Sequence, residues 1–255
     1  MLVKLIKYEL KATARMLIPL YIALVAFALI NKIFMGSNNS DLLGGIPMMV
    51  SIFAYGCIMA AVFIITFFII VQRFYKNLLG DEGYLMNTLP VPTWMNISSK
   101  LTVSIIWNIV SAIIAILSVI IMAFSKDMFS ELAYGIANLK GYLSVEYYGF
   151  TLELILYGFV SMITSTLILY LSISIGHLFN KRRILLSFGA FIVLKIIIST
   201  IQGVIQGVIH GVSYMGNDIN SIILSVHGLL IFDILLGIVF FIACNYIIKN
   251  KLNLE

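Results

Sequence analysis

Residues 73–100 read RFYKNLLGDEGYLMNTLPVPTWMNISSK. This is the longest segment dense in charged and turn-forming residues, and it lies between two strongly apolar runs. Arg73 and Lys76 open it, Lys100 closes it, and Asp81 and Glu82 sit between Gly80 and Gly83. Its surroundings decide what kind of segment it is. The chain of 255 residues is 62% hydrophobic and 11% charged, whereas soluble domains carry roughly 25% charged residues. An ordinary soluble core cannot absorb that much apolar surface. The expectation is an all-α polytopic membrane protein forming one transmembrane domain.

Working outward from residues 73–100, the apolar runs resolve into six candidate spans at about 16–35, 46–72, 101–124, 150–179, 184–209 and 221–248, each near or above the ~17–25 residues a helix needs to cross hydrocarbon. The longer ones tilt or project from the bilayer. Before the first span, residues 1–15 (MLVKLIKYELKATAR) place Leu2, Leu5, Ile6 and Leu10 near one helical face, with Lys4, Lys7, Lys11 and Arg15 on the cationic side. That pattern suits a helix lying in the membrane interface. A secretory signal also begins with basic residues, but fifteen residues are long for its charged leader and no small-x-small cleavage site precedes a polar start.

Lysine and arginine placement sets the orientation. With the N-terminus in the cytoplasm, the inside segments hold Lys4, Lys7, Lys11, Arg15, Arg73, Lys76, Lys100, Lys181, Arg182, Arg183, Lys249 and Lys251, twelve in all, against Lys32, Lys126 and Lys140 outside. Both termini and the 73–100 segment then face the cytoplasm. The net charge of +5 is thereby explained by topology, and no nucleic-acid partner is implied. Cys57 and Cys244 fall in apolar runs and read as two buried free thiols.

Within residues 73–100, Phe74, Tyr75, Leu78 and Leu79 extend the second helix beyond the membrane, and Gly80 and Gly83 permit a sharp turn. Pro90 and Pro92 stop the short piece from Tyr84 to Leu89, and Thr93 is the expected N-cap of a helix from Trp94 into the third span. Such a protrusion offers a soluble partner a grip; the plainer reading is an ordinary structured loop.

The run GDEGYLMNTLPVPTWMNISSKL with the preceding RFYKNLL resembles the loop between the second and third spans of type-2 ABC transporter permeases of Gram-positive bacteria. In that family an acidic residue precedes an LP(V/T) break and a lysine follows at the start of the third span. Here these are Asp81 and Glu82, Leu89–Pro90–Val91, and Lys100. The basic N-terminal helix, six spans and length near 250 agree. The resemblance implies a multi-pass subunit of a bacterial cell membrane. It would be paired with a second permease, identical or related, and with two copies of a cytoplasmic ABC ATPase. Residues 73–100 would contain the coupling helix, with Arg73, Asp81, Glu82 and Tyr84 as ATPase contacts and the N-terminal helix as a second contact. The resemblance favours export over import. The Lys181–Arg183 cluster could also touch the ATPase, or simply stop the fourth span.

The sequence carries no G-x-x-x-x-G-K-[ST] phosphate loop. The expectation is that the chain is not an enzyme and binds no cofactor directly, ATP and Mg acting through the partner subunit. His177, His210 and His227 show no ligand spacing and no H-E-x-x-H occurs.

Two features inside the spans call for an account. Lys195 and Asp233 lie about eleven and twelve residues into spans five and six, near mid-depth at ~1.5 Å per residue. A bare charge there costs at least ~2.5–3.5 kcal/mol. They read either as an inter-helix ion pair or as the proton or ion site of a secondary transporter. In QGVIQGVIHG, residues 202–211, Gly203, Gly207 and Gly211 form a small stripe beside Gln202, Gln206 and His210. That stripe suits helix packing, a dimer contact or outer gate, or a substrate contact. Three functions therefore remain: an ABC permease exporting peptides, drugs or other amphipathic compounds; an ion-coupled secondary transporter using Lys195 and Asp233; and a membrane-embedded enzyme or assembly factor.

Overall fold

Six long helices carry the apolar runs: α1 Leu2–Gly36, α2 Ile46–Phe74, α3 Thr93–Ala123, α4 Val145–Gly176, α5 Arg183–Ser213 and α6 Asp218–Asn250. The computed structural model describes residues 1–36, 46–80, 91–123, 134–135, 145–179, 182–213 and 218–251. Each of the six helices contains a stretch long and apolar enough to cross a bilayer. A helix satisfies its backbone donors and acceptors internally, as hydrocarbon requires. The chain is a multi-pass membrane protein, and every expected span coincides with a helix. The helices overrun the expected spans at most ends, although α3 and α4 stop one and three residues short of them, because side chains mark where the apolar run stops and not where the backbone does.

The largest difference is at the N-terminus. The basic segment and the first span are one unbroken 35-residue helix, not an interfacial helix followed by a span. Residues 1–15 contain neither Gly nor Pro, so nothing there stops propagation. Pro19 lies inside α1 and deprives the Arg15 carbonyl of its helical donor without ending the helix.

The chain divides into two compact units: Met1–Gln72 with Thr102–Tyr142, and Arg73–Leu101 with Leu143–Glu255. The first unit is built on Leu17, Tyr21, Leu24 and Ala28 of α1, Tyr55, Val62 and Ile69 of α2, and Val103 and Trp107 of α3. The α2 residues recur every seven positions, the seam of helices packed side by side. Small hydroxyls tie the helices where side chains alone would leave them free to slide. Trp107 Nε1 donates to Thr13 Oγ1 at 2.6 Å, and the Tyr21 hydroxyl meets Ser111 Oγ at 2.7 Å. Tyr55 meets Ser118 at 2.7 Å, Thr66 meets Ser111 at 3.2 Å, and Ser51 Oγ donates to Asn31 Oδ1 at 2.6 Å. The α1–α3 partners rise together and the α2–α3 partners run oppositely, so α3 is parallel to α1 and antiparallel to α2. Such bonds average about 0.6 kcal/mol each in a membrane protein. Their value lies in fixing register.

In the second unit α4 and α6 run parallel. Glu153 pairs with His227 at 2.9 Å, Thr164 Oγ1 donates to the Asp233 carbonyl at 3.1 Å, and Ser174 lies 3.5 Å from Cys244. The hairpin from α4 to α5 is very tight: a Cβ on Gly176 would lie 1.9 Å from Ser187 Oγ and 2.6 Å from the Ser187 nitrogen. Arg182 opens α5 from a left-handed conformation, φ 58°. Cys244 is buried as expected, but Cys57 is exposed on α2. That helix is apolar nearly all round, so its sequence does not declare which face is inward.

Candidate functional site

The two ends of the 73–100 segment are anchored in the second unit, against α4 and α6. At the first end, α2 tightens into a π-helical turn, Tyr75–Leu79, closed by the Gly80 N–H donating to the Tyr75 carbonyl at 2.9 Å. The wider turn re-aims the side chains beyond it. Phe74 is fully buried and its ring stacks on Tyr170 of α4, with centroids 3.9 Å apart and planes 7° from parallel. The Tyr75 ring meets His177 edge-on at 5.0 Å, and Asn77, Leu78 and Leu79 are buried behind it. Gly80 leaves the turn in extended backbone at φ −91°, a conformation open to any residue. Arg73 is half-buried on the last turn of α2.

At the other end, Thr93 is the first residue of α3 and not its N-cap. The Met95 N–H bonds to the Pro92 carbonyl. The Thr93 hydroxyl instead donates across to Asn245 Oδ1 of α6 at 2.7 Å. A hydroxyl offered a carbonyl oxygen on a neighbouring helix takes it when the local helix start is satisfied by backbone alone. Lys100, expected as a boundary cation, is 3% exposed. Asn96, one turn earlier, is also buried, and neither its amide nitrogen nor its amide oxygen has a hydrogen-bond partner among the described residues. His177 Nε2 is in the same condition. Burial first, and the Arg183 guanidinium second, hold the His177 imidazole below its ordinary pKa. Asp81, Glu82 and Tyr84 lie outside the described residues.

A second polar site lies inside the helices. Asp233 is 3% exposed and its Oδ1 accepts a hydrogen bond from Gln202 Nε2 of α5 at 3.1 Å. Thr164 ties α4 to the same turn of α6 through the Asp233 carbonyl. Lys195 does not occupy the position expected of it. It is exposed, it bears on the carboxylate only at longer range, and the carboxylate's close partner is Gln202. Lys195 and Gln202 are seven residues apart on α5 and share a face, and the shorter side chain sits at the depth of Asp233. Gln202 was legible as a polar stripe member; its pairing was not, because spacing along one helix says nothing of the register with the next.

The glycines of that stripe have no close neighbour among the described residues. A Cβ on Gly203, Gly207 or Gly211 would meet nothing within 4 Å, and Gln206 is exposed. The His210 side chain lies outside the described residues. Sequence reasoning passed over Glu153 altogether. It pairs with His227 of α6 in the N-terminal part of both helices. The available signal was an acid and a histidine each a few residues inside an apolar run. Among the described residues no group of three or more His, Cys, Asp or Glu could hold a metal ion. No family model, curated protein or solved structure matches the chain.

Proposed function

We propose that the chain is the membrane-spanning permease subunit of an ATP-driven ABC exporter of peptides, drugs or other amphipathic compounds. It acts in a bacterial plasma membrane with both termini in the cytoplasm. It pairs with a second permease, and two copies of a separate ATPase dock beneath the pair. Arg73, Asp81, Glu82 and Tyr84 contact the ATPase, which binds the ATP and Mg.

The observation that supports this reading most is the anchoring of residues 73–100. In sequence they join spans two and three, yet their two ends pack on α4 and α6, through the Phe74–Tyr170 stack and the Thr93–Asn245 hydrogen bond. A push on the segment therefore acts directly on the later helices. An ordinary loop has no need of a buried aromatic stack at one end and a half-buried hydrogen bond to a distant helix at the other. The lysine and arginine count places the segment on the side where ATP is. The ion-coupled alternative required Lys195 and Asp233 to act as one site, and the close partner of Asp233 is the Gln202 amide instead.

The test is co-purification from the native membrane. An ATPase subunit should be recovered with the wild-type chain and lost with Glu82→Lys. Equal recovery of the ATPase with the charge-reversed chain would remove the coupling role.

A further inference from the structure

Among the described residues, two recesses differ in one respect: one of them has an acidic residue in its lining. The larger, about 520 Å³, lies in the first unit between α1 and α3 and is lined by apolar side chains such as Ile18, Ile22, Leu29 and Val110. Bilayer acyl chains would fill it without further recognition. The smaller, about 330 Å³, lies in the second unit and is lined by Val160, Ile163 and Leu167 of α4, by Ile234 and Ile238 of α6, and by Asp233. Its size falls within the range of small-molecule sites, roughly 300–1,000 Å³.

Asp233 is otherwise incompletely answered. An ionised carboxylate offers about four acceptor positions, and Gln202 fills one on Oδ1. Gln202 is neutral, and among the described residues no ion pair neutralises the carboxylate. Thr164 does not help, since its hydroxyl bonds the Asp233 backbone carbonyl. The fold thus holds a buried aspartate that lines an apolar recess, its carboxylate held by Gln202 from α5.

We infer that this recess is a binding site for an amphipathic cation, whose protonated amine pairs with the Asp233 carboxylate while its hydrocarbon body lies against Val160, Ile163, Leu167 and Ile238. Gln202 positions the carboxylate and does not touch the ligand. The recess selects by charge as well as by apolarity: a neutral body of the same shape gains only the burial, and an anion is repelled. The inference rests on the transporter reading for its meaning as a cargo site, but binding itself requires no ATPase.

The purified full chain in nanodiscs of zwitterionic lipid tests it, with octylammonium as probe and octanol, octanoate and sodium chloride as comparisons at neutral pH. The readout is the midpoint of thermal unfolding as each is titrated. Octylammonium should raise the wild-type midpoint in a saturable way, octanol should raise it much less, and octanoate and sodium chloride should not raise it. Asp233→Asn, which keeps an acceptor for Gln202, should weaken the apparent affinity at least tenfold. Ile238→Trp, which narrows the recess and leaves the carboxylate alone, should weaken it as well. Equal shifts with octanol and octylammonium, or a shift produced by sodium alone, would overturn the inference. So would undiminished octylammonium binding by Ile238→Trp or by Asp233→Asn. Failure here leaves the ATPase co-purification intact, and failure of the co-purification leaves this binding intact.

Discussion

Replacing Gly176 by alanine adds one methyl group where the second unit has no room for it. The new Cβ would lie 1.9 Å from Ser187 Oγ, 2.6 Å from the Ser187 nitrogen and 2.7 Å from its Cα. The hydroxyl can rotate away, giving up its hydrogen bond to the Arg183 carbonyl. The nitrogen and Cα cannot. Ordinary carbon contacts begin near ~3.5 Å, so α5 must retreat from α4 by close to an ångström at its first turns. Overpacking of this kind costs about 1–3 kcal/mol. For a chain of this length each kcal/mol moves an unfolding midpoint by roughly 2–4 °C, so a loss of roughly 2–12 °C is expected in a thermal-unfolding assay on the purified protein. Backbone and side chain are separable: Gly176→Ala combined with Ser187→Gly removes the hydroxyl contact and leaves the contacts with nitrogen and Cα. The double variant should recover only a minor part of the loss. A Gly176→Ala protein as stable as wild type, or full rescue by Ser187→Gly, would refute the close approach of α4 and α5.

Other consequences arise from the buried polar groups of the second unit. Asn96→Leu removes an amide with no partner among the described residues while keeping its branched outline. It should be neutral or stabilising by up to the desolvation cost of such a group, about 1–3 kcal/mol, and a fall in the unfolding midpoint would contradict this. His177 has a pKa lowered in the folded state, so the unfolded chain binds its proton first as pH falls. Stability should be level above the ordinary histidine value of about 6.5 and decline below it, until the lowered folded pKa is reached. His177→Gln should flatten that decline in midpoints measured across pH, and an unchanged slope would assign it to another group. Gly207→Leu adds a large side chain where a Cβ would meet nothing within 4 Å among the described residues. It should leave the monomer's midpoint unchanged and lower recovery of the assembled complex; unchanged assembly would mean the stripe faces lipid.

The spans were legible because hydrocarbon thickness and backbone satisfaction leave so few options that composition alone locates them. Faces and registers were not legible. Cys57 and Cys244 stand in similar runs, yet one is exposed and one buried, because a helix apolar on every side carries no inward stripe. Lys195 was matched with Asp233 by depth, and the structure gives Asp233 to Gln202, one register choice among several that the sequence leaves equal. Thr93 looked like a cap because caps are read locally, whereas its partner Asn245 lies more than a hundred residues away. The 73–100 segment was conspicuous as a polar break. That its ends are held by α4 and α6 depends on Phe74, Tyr170, Thr93 and Asn245, none of which stands out in a run of similar residues.

On the proposed function, motion enters this chain from an ATP-hydrolysing partner through residues 73–100. The most direct measurement tracks export of a fluorescent amphipathic amine from membrane vesicles carrying the whole complex, with the proton gradient collapsed. The account predicts transport that requires ATP and is lost when Phe74→Ala releases the segment from Tyr170, the chain still being present in the membrane. Transport by the purified chain alone, driven by a pH gradient and indifferent to ATP, would contradict it.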